Sequence, residues 1–309
     1  MNAILYAALC LIWGSTWVAI KIGLDGVPPF LGAGLRFLLS TAIVGMVVAA
    51  RATPLRLTRD DRICVLSAGL LLFWLDYAAV YWAEQRIASG LTAVLFSTMP
   101  LITALLSAYW TRTEQLQPRK LTGIVVGVAG TVLLFWRPDH VGLDAIAGMG
   151  AALLGAACAA INLVTVKKHG QHTNVWLLNF LGMAIGTVCL IATSAVMESR
   201  STVTWTRSNV LALVYLAVVG SVVAFSAYYY LVKQMEATAL SLTTLIIPIV
   251  ALAFGRAFLH ETVTGTAILA VAVILAGVAL AITPAGIFSR RRRVTPPSAV
   301  LRADGRGPC

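Results

Sequence analysis

Ten runs of apolar residues leave this chain one kind of solvent in which to fold. They are Ala3–Ile22, Phe30–Ala50, Ile63–Ala83, Ala88–Trp110, Leu121–Trp136, Ala145–Val166, Val175–Met197, Val210–Val232, Ala237–Leu259 and Val263–Ile282. A helix of roughly 18 to 25 apolar residues crosses the ~30 Å hydrocarbon layer of a bilayer, and all but the short fifth run approach that length. A helix is also the form in which one isolated segment satisfies every backbone hydrogen bond inside lipid. The composition agrees: 59% of the residues are hydrophobic and 11% charged, against about 25% charged in a soluble domain. The expected fold is an all-α integral membrane protein with ten transmembrane helices.

The runs repeat. Ala88–Trp136 reads as apolar helix, polar break with Glu114, then a glycine-rich run, and a weaker copy returns at Ala237–Ile282 around Glu261. Pro100 is answered by Pro248, 148 positions on, and Gly130 by Gly277, 147 positions on. A long internal repeat decides the architecture before any local feature does. The chain divides into a first five-helix repeat at 3–136 and a second at 145–283, followed by a basic tail at 289–309. Five is odd, so two such repeats lie in opposite orientations, the inverted arrangement that surrounds a central cavity.

The net charge of +11 does not point to nucleic acid. Arg51, Arg56, Arg59, Arg62, Arg112, Arg119, Lys120, Lys167, Lys168, Lys233 and the run 290–293 fall on one set of alternating loops. Lys21, Arg86, Arg137, Arg200, Arg207 and Arg256 fall on the other. The richer set marks the cytoplasmic side, which puts both termini there. The tail, with its four arginines and its prolines and glycines, is expected to be disordered beside anionic lipid. Five cysteines without a CxxC pair or a Cys/His cluster suggest neither a disulfide framework nor a metal site. The first run lacks a basic leader and a small-residue cleavage site, so it reads as a retained span.

Polar and aromatic residues inside the runs are the functional candidates. Trp13 and Trp17 share a helix face, and Trp13 is too deep for an interfacial belt. Arg36 in the second run and Asp76 in the third stand at similar depth. Such charges face a polar interior and are functional by default. A structural salt bridge, a proton- or substrate-responsive switch, and no contact at all remain open for them. Trp74, Tyr77 and Tyr81 form a stripe whose counterpart in the second half is Phe225 and Tyr229, beside Tyr228 and Tyr230. So many tyrosine hydroxyls favour a wet interior over hydrocarbon. Ser97, Thr98 and Pro100, and again Thr243, Thr244 and Pro248, predict paired helix breaks, the best sequence pointer to a carrier's site. Asn162 is a lining candidate and Asn179 a helix-bonding one. Glu114 and Glu261 are expected to cap helices. The cluster Arg59-Asp60-Asp61-Arg62, with Thr58 before it, reads as a helix start. Gly123-x-x-x-Gly127 and Gly182-x-x-x-Gly186 predict close helix packing.

Taken together, Trp13-Gly-Ser-Thr with Lys21, Arg36-Phe37, the small residues before Pro100 and Pro248, and Glu114 or Glu261 leading to a glycine-rich helix resemble the EamA family of the drug/metabolite transporter superfamily. The resemblance runs from residue 3 to about 283. It implies an inner-membrane carrier that moves small metabolites, often an exporter of amino acids or related compounds, by alternating access. Its partners would be a small solute and membrane lipid, with the proton as candidate coupling ion, no cofactor and no nucleic acid. The second half departs by having Ala159, Gly182 and Ala224 where the first has Trp13, Arg36 and Asp76. Charge-based coupling would therefore sit in the first half. Two rivals are a membrane enzyme acting on a lipid-linked substrate and a non-transporting scaffold. The loops are short and carry no clustered acidic or histidine motif, which weighs against the enzyme.

Overall fold

The computed structural model describes residues 2–87, 89–135, 143–258 and 265–282, and among these the regular structure is all helix. In chain order the helices are α1 (Asn2–Gly23), α2 (Pro29–Ala50), α3 (Arg59–Glu84), α4 (Ser89–Phe96) and α5 (Met99–Leu105, extended by Leu106–Trp110). Then come α6 (Pro118–Phe135), α7 (Leu143–His169), α8 (Val175–Met197), α9 (Arg207–Gln234), α10 (Ala237–Ser241), α11 (Thr243–Phe258) and α12 (Gly265–Ile282). Seven stretches among the described residues are long and apolar enough to cross a membrane: α1, α2, α3, Thr92–Trp110, α7, α8 and α9. The fifth, ninth and tenth runs fall on α6, α10 with α11, and α12, which are not among those seven. Glu261, His140, His260, Trp136 and the tail at 289–309 lie outside the described residues.

Local chemistry sets the helix starts. Thr58 caps α3 in a reciprocal box with Asp61, as the acidic cluster led one to expect, while Asp60 pairs with His169. Asn174 caps α8, and Thr206 with Asn209 caps α9. Helix α2 starts on Pro28-Pro29 without a side-chain cap of its own. Glu198, just past the end of α8, supplies one: its two carboxylate oxygens accept from Phe30 N (2.8 Å) and Leu31 N (2.9 Å).

The helix breaks differ from expectation in a specific way. The fourth run is interrupted at Ser97-Thr98, and Pro100 sits in the first turn of α5, where its missing N–H leaves no carbonyl bare. The ninth run is interrupted at Leu242, six residues before Pro248, and α11 continues through Pro248. Pro248 is therefore not a break. The sequence did not suggest three π-helical stretches: Leu106–Trp110 at the end of α5, Ser67–Asp76 in α3 and Val218–Val223 in α9. The stretches in α3 and α9 overlap when 148 is added to the first of them.

Packing pairs the halves with exchanged roles. Helix α1 packs on α9 and α11, as α7 packs on α3 and on α4 and α5; α2 packs on α9 as α8 packs on α3. Helix α2 meets α8, and α6 meets α12. Glycine makes the last contact possible. A Cβ on Gly277 would lie 2.6 Å from the Gly123 carbonyl oxygen and against the backbone of Gly127, and one on Gly130 would lie 2.8 Å from Ile274 N. The glycines of α8 likewise accept Phe73 of α3: a Cβ on Gly186 would meet Phe73 Cβ, and one on Gly182 would lie 3.1 Å from both Phe73 and Ala68.

Candidate functional site

A cavity of about 120 Å³ lies where α1, α3, α9 and α11 approach, with walls from both halves of the chain. From the first half come Trp13, Thr16, Trp17, Ile20, Arg36, Leu72, Asp76, Tyr77, Val80, Tyr81, Ala93, Phe96 and Met99. From the second come Ala159, Phe225, Tyr228, Ser241, Thr243, Thr244, Ile247 and Pro248. Matched positions face it together: Tyr77 with Phe225, Val80 with Tyr228, Ala93 with Ser241, Phe96 with Thr244 and Met99 with Ile247, each pair 148 positions apart.

Aromatic rings form most of the wall. Trp13 lies edge-on to Phe225 (5.5 Å between ring centroids) and tilted on Tyr228 (5.3 Å). Tyr77 meets Phe37 at 4.7 Å and Phe225 at 6.4 Å. Edge-to-face rings at such spacing hold one another's orientation, so the wall is stiff.

Arg36 is 1% exposed and held almost wholly by the second half. Its Nε donates to Ser221 Oγ (2.8 Å) and its Nη2 to the Gly220 carbonyl (3.1 Å) and the Tyr77 hydroxyl (3.4 Å). Gly220 and Ser221 belong to the π-helical stretch of α9, and a π turn frees backbone groups that an α turn would use. The Gly220 position also needs glycine, since a Cβ there would lie 2.9 Å from Thr16 and 3.3 Å from Arg36 Nη2. The guanidinium stands 5.0 Å from the Tyr77 ring centre and 5.3 Å from that of Phe37, within cation–π range. Asp76, 4% exposed, closes the π-helical stretch of α3, beside Gly155 of α7. A Cβ on Gly155 would lie 2.8 Å from Asp76 Oδ1. Arg36 and Asp76 line one cavity without forming an ion pair; the pairs among the described residues are Lys120–Glu114, Lys120–Glu236 and His169–Asp60.

Of the residues singled out in the sequence, Trp13, Trp17, Arg36, Asp76, Tyr77, Tyr81, Tyr228, Thr244 and Pro248 reach the cavity wall. Ser97, Asn162, Tyr229 and Pro100 do not. Ser97 is fully buried and its hydroxyl donates to Val94 O (2.6 Å). Asn162 accepts from Ser67 Oγ (3.3 Å) and donates to Tyr229 (3.4 Å), tying α3, α7 and α9 together away from the cavity. Trp74 turns outward, donating to Thr193 of α8 (3.0 Å). The hydroxyl of Thr244, in the first turn of α11, donates back to Ser241 O at the end of α10 (2.9 Å). Thr16 and Thr243, named in the sequence only as parts of motifs, also reach the wall, and Ser241 was missed; its 148-residue relation to Ala93 could have suggested it. Glu114 caps across the halves, accepting from Thr238 N (3.1 Å) while pairing with Lys120 (3.0 Å).

Chemically, the chamber suits a small solute with an apolar body. Comparison with known proteins agrees with a carrier. The profile of the EamA-like transporter family matches residues 1–136 and again 146–283. The uncharacterized inner membrane transporter YedA of Escherichia coli K12 is 30% identical over 292 residues, covering 94% of this chain and 93% of its own. The uncharacterized transporter YoaV of Bacillus subtilis is 27% identical over 92% of this chain and 97% of its own. A "Probable amino-acid metabolite efflux pump" of Salmonella typhimurium is 27% identical over 86% and 89%. One crystal structure shares the fold at a TM-score of 0.76, with 21% identity over 91% of this chain and 96% of that one. Matched over both halves, and with seven membrane-crossing helices among its described residues, this multi-pass membrane protein belongs to the EamA-like transporter family.

Proposed function

We propose that this chain is a secondary-active transporter that exports small metabolites, amino acids or related amphipathic solutes, by alternating access. The two matched segments are inverted five-helix repeats, ten spans in all, and the aromatic cavity between them is the solute site. The observation that carries this is the meeting of matched positions around one cavity: Tyr77 with Phe225, Phe96 with Thr244, Met99 with Ile247. A site on the axis relating two inverted halves can be exposed to either side by rocking one half against the other. The exchanged helix contacts support the same reading.

In this scheme Arg36 and Asp76 bias the equilibrium between the two open forms, and Asp76 is the group that can carry a coupling proton. The protein resides in a bacterial-type inner membrane with both termini in the cytoplasm, as the loop charges imply. Export is suggested by the efflux pump among its relatives.

The test is solute flux from proteoliposomes of the purified protein under a pH gradient, together with thermal stabilisation by a panel of amino acids, purines and amphipathic drugs. A ligand that binds only the folded state raises the melting temperature. Flux and stabilisation by the same solute, both lost in Trp17→Ala, support the reading. A panel that produces neither sinks it.

A further inference from the structure

Matched positions at the two ends of the bundle stand in different states. Near the end of α7, Lys167 donates to the Val232 carbonyl of α9 (2.9 Å), and Lys233 of α9 donates to the Thr173 carbonyl in the turn that follows α7. Subtracting 146 on the α7 side leads to Lys21 and Val27, and subtracting 148 on the α9 side leads to Glu84 and Gln85. These four line a second cavity, of about 630 Å³, at the opposite end, where α1 and α3 finish. The turns are tied alike at both ends: Asp61 accepts from Thr173 Oγ1 (2.6 Å), and its match Asn209 donates to the Asp25 carbonyl (3.1 Å). The difference lies in the helix ends, joined in one place and parted in the other.

Four charged side chains line the larger cavity, and two of them are engaged. Arg86 lies on the Trp82 ring (3.5 Å to its centre) and donates to the Trp82 carbonyl (3.1 Å), and Glu198 caps α2. Lys21 enters no ion pair among the described residues, and Glu84 Oε1 is enclosed without a hydrogen-bond partner. An enclosed carboxylate left unpaired is costly. Where Lys167 finds a backbone carbonyl at Val232, the matched Lys21 would find a carboxylate. Ile20 and Tyr81 line the central chamber and immediately precede these two, by one residue and three. Bringing the ends of α1 and α3 together therefore covers the chamber on that side.

We propose that Lys21 and Glu84 lock a second conformer: α1 and α3 close at their ends, the Lys21 ammonium pairs with the Glu84 carboxylate, and Lys167 releases Val232. This rests on reading the chain as an inverted-repeat carrier, in which each half takes in turn the arrangement now held by the other. The two locks differ in kind, an ion pair at one end and an ammonium on a neutral carbonyl at the other.

Carbodiimide coupling tests this on the full-length purified protein in detergent. The reagent activates a carboxylate, and a lysine amine in contact with it displaces the urea and leaves an amide, so side chains that meet become joined. Lys120 and Glu236, 2.6 Å apart, supply the internal standard, read by mass spectrometry of the digested chain. A Lys21–Glu84 amide is expected to accumulate, more slowly than the standard. Lys167→Met, which frees the other end, is expected to raise its rate about tenfold, the change that losing one charged hydrogen bond brings to a two-state balance. A merely structural lysine would lower the yield of folded protein and leave that rate alone. Absence of the Lys21–Glu84 amide while the standard couples to completion overturns the lock, as does an amide that forms at the same rate in both proteins. The first of these outcomes is read on the wild-type chain, whether or not Lys167→Met folds. Solute flux in proteoliposomes without the cross-link removes this pair and keeps the carrier. Absence of both flux and cross-link removes both.

Discussion

Residues 1–136 and 146–283 match the same family profile, yet where the first segment carries Trp13, Arg36 and Asp76 the second carries Ala159, Gly182 and Ala224. What the segments share is backbone. Each puts a π-helical stretch in its third long helix, and each brings a glycine to the contact between α6 and α12. What they do not share is charge. Gly182 has no room for an arginine, since even a Cβ would press on Ala68 and Phe73. Ala224 is fully buried. The second segment instead offers Ser221 and the Gly220 carbonyl to the first segment's arginine. Matched backbones can thus carry unmatched chemistry.

The shared part should be the less tolerant of change. Gly123→Leu or Gly277→Leu places side chains where backbone now sits, and overpacking of this kind costs about 1–3 kcal/mol or more. Both variants are expected to lose folded protein on size-exclusion chromatography, and to similar extents. Gly150→Leu, at a position with nothing within 4 Å, should behave as wild type. A large gap between the Gly123 and Gly277 variants would break the symmetry of the seam.

Next in size is the loss of flux in Asp76→Asn, expected to approach background in proteoliposomes while the melting temperature is held. Moving the carboxylate to the matched site, with Asp76→Ala and Ala224→Asp together, should not restore transport. Restoration would mean that the two positions are interchangeable. Ala159→Trp then gives the second segment the first's tryptophan. Ala159 and Trp13 both face the cavity, so the new ring should fill it and abolish stabilisation by solute without unfolding the protein. Continued stabilisation would place the solute elsewhere.

The smallest effects belong to the ion pairs at Lys120, one within the first segment to Glu114 and one across to Glu236, where the second segment's residue matched to Lys120 is Ala267. Lys120→Met leaves the buried carboxylate of Glu114 uncompensated and should cost on the order of 1–3 kcal/mol, read as a drop in melting temperature. Glu236→Gln, at a side chain 60% exposed, should cost ~0–1 kcal/mol. Equal losses would mean that Glu114 does not depend on Lys120.

Much of this was legible before any coordinates. Spans show in hydropathy because lipid demands length, and Trp13, Arg36 and Asp76 stood out because hydrocarbon tolerates them poorly. Ser97 and Asn162 misled for a related reason. A hydroxyl can bond a carbonyl of its own helix, and an amide can tie two helices, so an isolated polar residue in an apolar run need not face a cavity. Adding 148 to Tyr81 gave Tyr229, whereas the wall uses Tyr228. Past the π-helical stretches the 148-residue register still holds for Tyr77 with Phe225 and Val80 with Tyr228, and it is at Tyr81 that the wall departs from it. Nothing in one sequence records that. Nor does it record that Glu114 would cap a helix 124 positions away.

The meeting of α6 and α12 also limits how the molecule can change shape. Backbone lies on backbone at Gly127 and Gly277, so no layer of side chains is present to shear, and parting the two helices would open a void. Such a line acts as a pin. Displacement about a pin grows with the length of the arm, and α1, α2 and α3 pack elsewhere in the bundle. The residues with the longest travel would then be those that carry the aromatic and charged wall.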